Sequence, residues 1–184
     1  MTNKYNFEST IRLIIETVWP FVLIVLILLA STVLSLEIMS SVRAYVGGES
    51  MWAKGQKEAH IALTSYIHSQ SNSDFQTFLK AITIPKADNI ARHELDKAEP
   101  NLEIVFKAFV KGGNHPEDVP GMIRLYHFFA KTPLLQEPIN FWAAADIYIT
   151  ELDSLGHLLY QKINTDNWSN NERLKAISKL NAIN

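Results

Sequence analysis

Cysteine is absent from this chain, which excludes a disulfide framework, a thiolate zinc site, a Cys-ligated iron–sulfur cluster and a cysteine nucleophile. An excess of one charge is also absent. The 17 Lys and Arg are dispersed and offset by 19 Asp and Glu, for a formal charge of -2, so nucleic acid is not an expected partner. Catalytic signatures are missing as well: there is no G-x-S-x-G and no glycine loop that would cradle a phosphate. The paired acids Glu117 and Asp118 read as solvated or helix-capping rather than as acid–base machinery. Six histidines invite a metal reading, yet His60 and His68 are eight apart, His93 adjoins Glu94, and no H-x-x-x-H or H-E-x-x-H occurs. No stretch alternates like a strand, and no repeat or low-complexity segment is visible. The expectation is an all-α protein with no enzyme activity, no metal and no cofactor.

What is present starts with one apolar run. Val18 to Leu36 contains 19 residues without a charge, which as a helix covers about 28 Å, close to the thickness of the hydrocarbon layer. Pro20 falls in its first turns, where a missing N–H does little harm, and Trp19 suits the headgroup level. The competing reading is a cleaved signal peptide, since Ala30-Ser31-Thr32 is small and follows a leucine-rich core. An anchor is favoured because no convincing A-x-A site follows and the helical pattern continues into Tyr45 and Trp52. Lys4 and Arg12 stand on one side of the run, and Arg43, Lys54 and Lys57 against Glu37, Glu49 and Glu58 on the other. That charge bias is weak, so orientation rests on the short head and long tail of a signal anchor. The expected layout is 1–17 as a short cytoplasmic amino terminus, 18–36 as a transmembrane helix and 37–184 as a periplasmic helical sensory domain. The expected localisation is the bacterial inner membrane, single-pass.

The stretch Ser41 to Lys57, S-V-R-A-Y-V-G-G-E-S-M-W-A-K-G-Q-K, is the most unusual. Tyr45, Glu49, Trp52, Gln56, Ala59 and Leu63 repeat at spacings of four and three, which places them on one helix stripe facing the protein. Glu49 and Gln56 are out of place on an interior stripe unless something pairs with them. Gly47-Gly48 inside a helix costs roughly 1 kcal/mol per residue relative to Ala, which points to a close approach by a helix or a ligand. Arg43, Tyr45, Glu49, Trp52, Lys54 and Gln56 are therefore candidate ligand-binding residues. Arg43 or Lys54 would hold an anionic group, Glu49 an amine or hydroxyl, and Trp52 and Tyr45 the apolar walls. The alternative is a structural ion-pair network.

Helix signals continue along the chain. A first long helix ends in Ser69 to Asn72, and Ser73 with Gln76 makes a capping box for a helix from Asp74 to about Ile82, which Ile84-Pro85 breaks. Ala87 to Lys97 is a polar helix expected to lie on the outside. Leu102, Val105, Phe106 and Phe109 are in register after Pro100, until Gly112-Gly113. A helix near Pro120 carries Met122, Leu125, Tyr126 and Phe129 inward. Another follows Thr132-Pro133 to about Ile163, with a restart or kink at Pro138 and Ile139, Trp142, Ala145, Ile149, Leu152, Leu155 and Leu159 as its core stripe. Asp146 lies beside that stripe and could bridge to Arg124. Asn164 to Trp168 is a turn, and Ser169 with Glu172 caps a last helix lined by Leu174, Ile177 and Leu180. The architecture expected is a transmembrane helix continuing into an extracytoplasmic four-helix-bundle-like domain, up-and-down, with short additional helices.

The loop K-G-G-N-H-P-E-D-V-P-G-M is the second dense cluster, with three glycines and two prolines in twelve residues. Asn114, His115 and Asp118 are further candidates for ligand contact, although a rigid corner of Asx and proline turns explains most of the pattern.

These two stretches, with F-L-K-A-I-T-I-P-K-A-D-N-I-A-R between them and the Trp142 to Asp146 segment after, resemble the amino-terminal extracytoplasmic sensor region of bacterial membrane-bound GGDEF-type diguanylate cyclases. The resemblance extends loosely from the membrane helix to Leu180. It implies a helical periplasmic module between two membrane helices, followed by a cytoplasmic domain that makes cyclic di-GMP. It places Arg43, Tyr45, Gly48, Glu49, Trp52, Lys54 and Gln56 in the first motif and Asn114, His115, Pro116, Asp118, Pro120 and Gly121 in the second, without assigning them roles. This sequence departs from the pattern in carrying neither a return membrane helix nor a GGDEF sequence, so it is not itself expected to make cyclic di-GMP. The function expected is that of a membrane-anchored sensory input module taking a small polar or charged ligand. A homodimer and a periplasmic protein partner are both open, and the rival reading is a membrane-anchored protein-interaction or scaffold domain.

Overall fold

The computed structural model describes residues 2–165 and 168–183, with side chains from residue 11 onward other than 134 and 135. Among the described residues there are six helices and no strand: α1 (Thr2–Ser69), α2 (Asn72–Leu95), α3 (Leu102–Lys111), α4 (Val119–Phe129), α5 (Pro133–Ile163) and α6 (Asn170–Ala182). The chain divides into two compact units, Met1–Ser40 and Ser41–Asn184.

The first unit belongs to α1 and exposes its apolar side chains all round, Leu23, Ile27 and Leu34 among them. Pro20 sits inside the helix without ending it. Three hydroxyls are satisfied within the helix: Thr17, Thr32 and Ser35 donate to the carbonyls of Leu13, Leu28 and Ser31, each at 2.8 Å. That economy suits an apolar medium, where an unpaired polar group is costly. α1 is the one helix among the described residues long and apolar enough to cross a membrane.

The second unit has two apolar clusters. In the larger, Ala59, Leu63, Tyr66 and Ile67 of α1 meet Phe78 and Ile82 of α2, Ile149, Leu152 and Leu159 of α5, and Leu180 of α6. Phe75 stacks on Tyr160 with centroids 4.2 Å apart, a geometry that adds to plain area burial. The smaller joins Ala91 of α2, Val105 and Phe109 of α3, and Val119 and Met122 of α4, with Tyr45 packed against it.

Several local signals are realised as expected. Ser169 caps α6 through its side chain, Oγ accepting from the Glu172 N–H at 3.3 Å, whereas the cap of α3 is Asn101, which the sequence reading did not single out. Pro120 and Pro133 fall in the first turns of α4 and α5. Met122, Leu125 and Tyr126 point inward, as do Trp142, Ile149, Leu152, Leu155 and Leu159. The turn expected over Asn164 to Trp168 includes 166 and 167, which lie outside the described residues.

Other expectations are corrected. α2 is capped by Ser71, not Ser73, and runs without a break through Pro85. Proline forfeits only one helical hydrogen bond, and the backbone there is pressed against α1. A Cβ on Gly55 would stand 3.1 Å from the Ala81 carbonyl oxygen and 3.2 Å from Pro85 Cδ. The segment from Ala87 is thus the second half of α2, and it faces inward: Ala87, Ala91, Arg92 and Glu94 are buried while Ile90 is exposed. α5 likewise continues through Pro138. Leu102, Phe106 and Leu174 are exposed despite their register, and Asp146 pairs with Arg92 rather than with Arg124.

Candidate functional site

The charged face of α2 builds a polar centre inside the second unit. Asp88, Arg92 and Asp96 recur every four residues, so they share one side of the helix. Arg92 is only 5 % exposed, and its guanidinium donates to Asp146 Oδ2 on α5. Its Nε is buried without a partner. Asp88 is partly buried beside it, and burial pushes its carboxyl up to about 6, with Arg92 pulling the other way and Asp146 adding to the rise. Tyr45 of α1 and Tyr126 of α4 complete the group. The Tyr126 hydroxyl donates to Asp96 at 2.6 Å. Both phenols are held above their ordinary range, first by burial; Tyr45 is raised further by Asp88, Tyr126 by its bond to the Asp96 carboxylate. They are therefore neutral hydroxyls at any physiological pH. Tyr45 also packs against Trp142 with ring centroids 5.6 Å apart.

This centre opens at Asp96 and Tyr126 onto a cleft of about 570 Å³, whose other polar lining includes His127, Lys131, Gln136 and Asn140. The size suits a small-molecule site. Nearby, Glu94 closes the α2–α3 corner by accepting from the Lys97 ammonium and the Asn101 N–H. Those bonds, the Lys97 bond foremost, hold its carboxyl below the usual range.

The nine residues singled out in the sequence are dispersed. Arg43, Glu49 and Lys54 are exposed, and Lys54 lies 3.7 Å from Glu58 on its own helix. Glu49 is thus not a buried carboxylate. At about 100° per residue it lies roughly 60° from Trp52 and 80° from Ala59, on the solvent edge of the stripe. Trp52 is buried in the larger apolar cluster. Gln56 is half-buried and lines a second groove, of about 370 Å³, together with Lys57 and His60. Only Tyr45 reaches the polar centre.

The second motif meets the first where a side chain of one lies against a glycine of the other. A Cβ on Gly48 would stand 2.9 Å from Asn114 Oδ1, and one on Gly121 would stand 2.7 Å from Ser41 Oγ. Gly47, by contrast, has open space around it. Asn114 is buried and donates through Nδ2 to the Phe109 carbonyl at 3.0 Å. His115 is exposed and accepts from the Glu117 N–H at 3.3 Å. Asp118 takes the N-cap position of α4 without a side-chain capping bond.

Asp88, Arg92, Asp96, Tyr126 and Asp146 were not among the sequence-selected residues. The available signal was the small stripe of Ala87 and Ala91 running beside charges at four-residue spacing, a pattern that lets a helix approach its neighbours closely along a polar face. Among the described residues, no group of three or more His, Asp or Glu stands together as metal ligands. No family model matches the chain, and no curated protein or solved structure matches it significantly.

Proposed function

We propose that this chain is a membrane-anchored sensory module of a bacterial signal-transduction protein, an input to cyclic di-GMP signalling. In this reading α1 anchors it in the inner membrane, single-pass, and residues 37–184 form a helical bundle in the periplasm. The observation that carries the reading is the buried polar centre around Arg92. Folding alone does not call for it, because apolar residues of similar volume in place of a buried ion pair are often neutral or stabilising. A charged junction of α1, α2, α4 and α5 instead gives a ligand something to bias. Binding of a small polar or charged molecule at Asp96, Tyr126 and Lys131 would favour one packing of these helices over another, which is the thermodynamic requirement of a switch.

The test is thermal unfolding of the full chain in detergent against a panel of small polar metabolites. A ligand at 100 times its dissociation constant adds about 2.7 kcal/mol, a shift of several degrees at roughly 2–4 °C per kcal/mol. The expected result is a shift that Asp96→Ala and Lys131→Ala abolish. Absence of a shift with every compound would move support to a protein-binding scaffold. The observation favouring that second reading is the set of exposed apolar side chains on α4 and α5, Phe128 and Phe141 at 69 % and Ile147 at 64 %. Topology has its own test, made simple by the absence of cysteine. Glu117→Cys should react with a membrane-impermeant maleimide in spheroplasts, and protection until lysis would place the domain in the cytoplasm.

A further inference from the structure

The groove lined by Gln56, Lys57 and His60 lies against Tyr148 and Leu152 of α5 and Ile183 after α6. It shares no lining residue with the cleft at Asp96. Its chemistry is one-sided. The three polar residues follow one another on a single face of α1, the opposite wall is apolar or aromatic, and no Asp or Glu lines it. Lys57 is exposed and forms no ion pair among the described residues. The inner nitrogen of His60, Nε2, is buried with no hydrogen-bond partner.

The His60 ring, the Lys57 ammonium and the Gln56 amide thus line one edge, facing an apolar floor.

We propose that this groove binds a small organic carboxylate with an apolar or aromatic body. The carboxylate accepts from His60, Lys57 and Gln56, and the body lies on Tyr148, Leu152 and Ile183. An amine would meet Lys57 with no acid to offset it. A fully hydrated anion such as phosphate would leave the apolar wall unused.

The test is calorimetric titration of the full chain in nanodiscs with phenylacetate and hexanoate, and with 2-phenylethanol and phenethylamine as the neutral and cationic counterparts. Saturable binding of a carboxylate is expected, with the alcohol at least about tenfold weaker, as loss of a charge-assisted hydrogen bond implies, and no binding of the amine. Lys57→Met, at an exposed position that leaves folding alone, should weaken binding at least about tenfold, and His60→Ala likewise. Asp96→Ala should leave it unchanged, which separates this groove from the sensory cleft whatever becomes of that reading. Three results would overturn the proposal: no saturation by either carboxylate at about 10 mM, where even a millimolar binder would be filled; equal binding of the alcohol; or wild-type affinity in Lys57→Met.

Discussion

Arg92 of α2 and Asp146 of α5 form an ion pair inside the domain, the guanidinium 5 % and the carboxylate 14 % exposed. Two further carboxyl groups, Asp88 and Asp96, act on the same region. Arg92 thus lies among several acids, and the exposed His93 ring stands 3.9 Å from Asp146. Arg92→Ala would leave Asp146 and Asp88 without the buried guanidinium between helices, and we expect it to cost about 3–5 kcal/mol in urea unfolding followed by helical circular dichroism. The double variant Arg92→Met/Asp146→Leu should recover most of that loss. A single variant as stable as wild type would show that the pair carries no weight.

Asp88 makes stability depend on pH in a defined direction. Its folded carboxyl sits at about 6, raised chiefly by burial, above the roughly 3.9 of an unfolded chain. The folded state therefore binds this proton more tightly than the unfolded one. The stabilisation is complete below about pH 4 and is lost as the pH rises to about 6. Comparing Asp88→Asn with wild type should show the variant gaining relative stability across that window and keeping the gain at neutral pH. Parallel pH curves for the two proteins would contradict the assignment.

The glycines of α1 should respond in opposite ways. Gly47 has nothing within 4 Å of an added Cβ, so Gly47→Ala should stabilise by about 0.5–1 kcal/mol through helix propensity. At Gly55 the added carbon would stand 3.0 Å from Ile84 Cβ and 3.1 Å from the Ala81 carbonyl oxygen. Gly55→Ala should therefore lose about 1–3 kcal/mol through overpacking. Gly156→Ala should be worse, since its Cβ would fall 2.3 Å from the ring of Phe78, which is fully buried. Thermal midpoints of the three variants rank the contacts directly.

Asn114 fastens the corner between α3 and α4. Its amide donates to the Phe109 carbonyl from a buried position, and its oxygen lies against Gly48. Asn114→Ala should cost about 1 kcal/mol, the net worth of one lost hydrogen bond, because the Phe109 carbonyl keeps the backbone N–H of residue 114 at 3.1 Å. His115→Ala, one residue on and exposed, should be close to neutral.

The sequence by itself determined what depends on neighbours within a turn or two of helix. The apolar run before Ser41, the capping by Ser169, the prolines at the starts of α4 and α5 and the inward stripe of α5 are all local, and all appear in the structure. Tertiary contact decided the rest. Pro85 reads as a stop because the local signal is one lost hydrogen bond; packing of Gly55 against Ala81 and Pro85 lets α2 continue. The charged segment after it reads as surface because its composition is polar. Arg92 is buried because its partner Asp146 lies 54 residues further along the chain, and nothing within helical reach of Arg92 announces that partner. The converse holds at Glu49, whose spacing puts it near the inward stripe while packing leaves it on the solvent edge. Periodicity tells which residues share a helix face. Which faces meet, and which charges are thereby enclosed, depends on contacts between residues far apart in the chain, and that is where the polar centre of this protein arises.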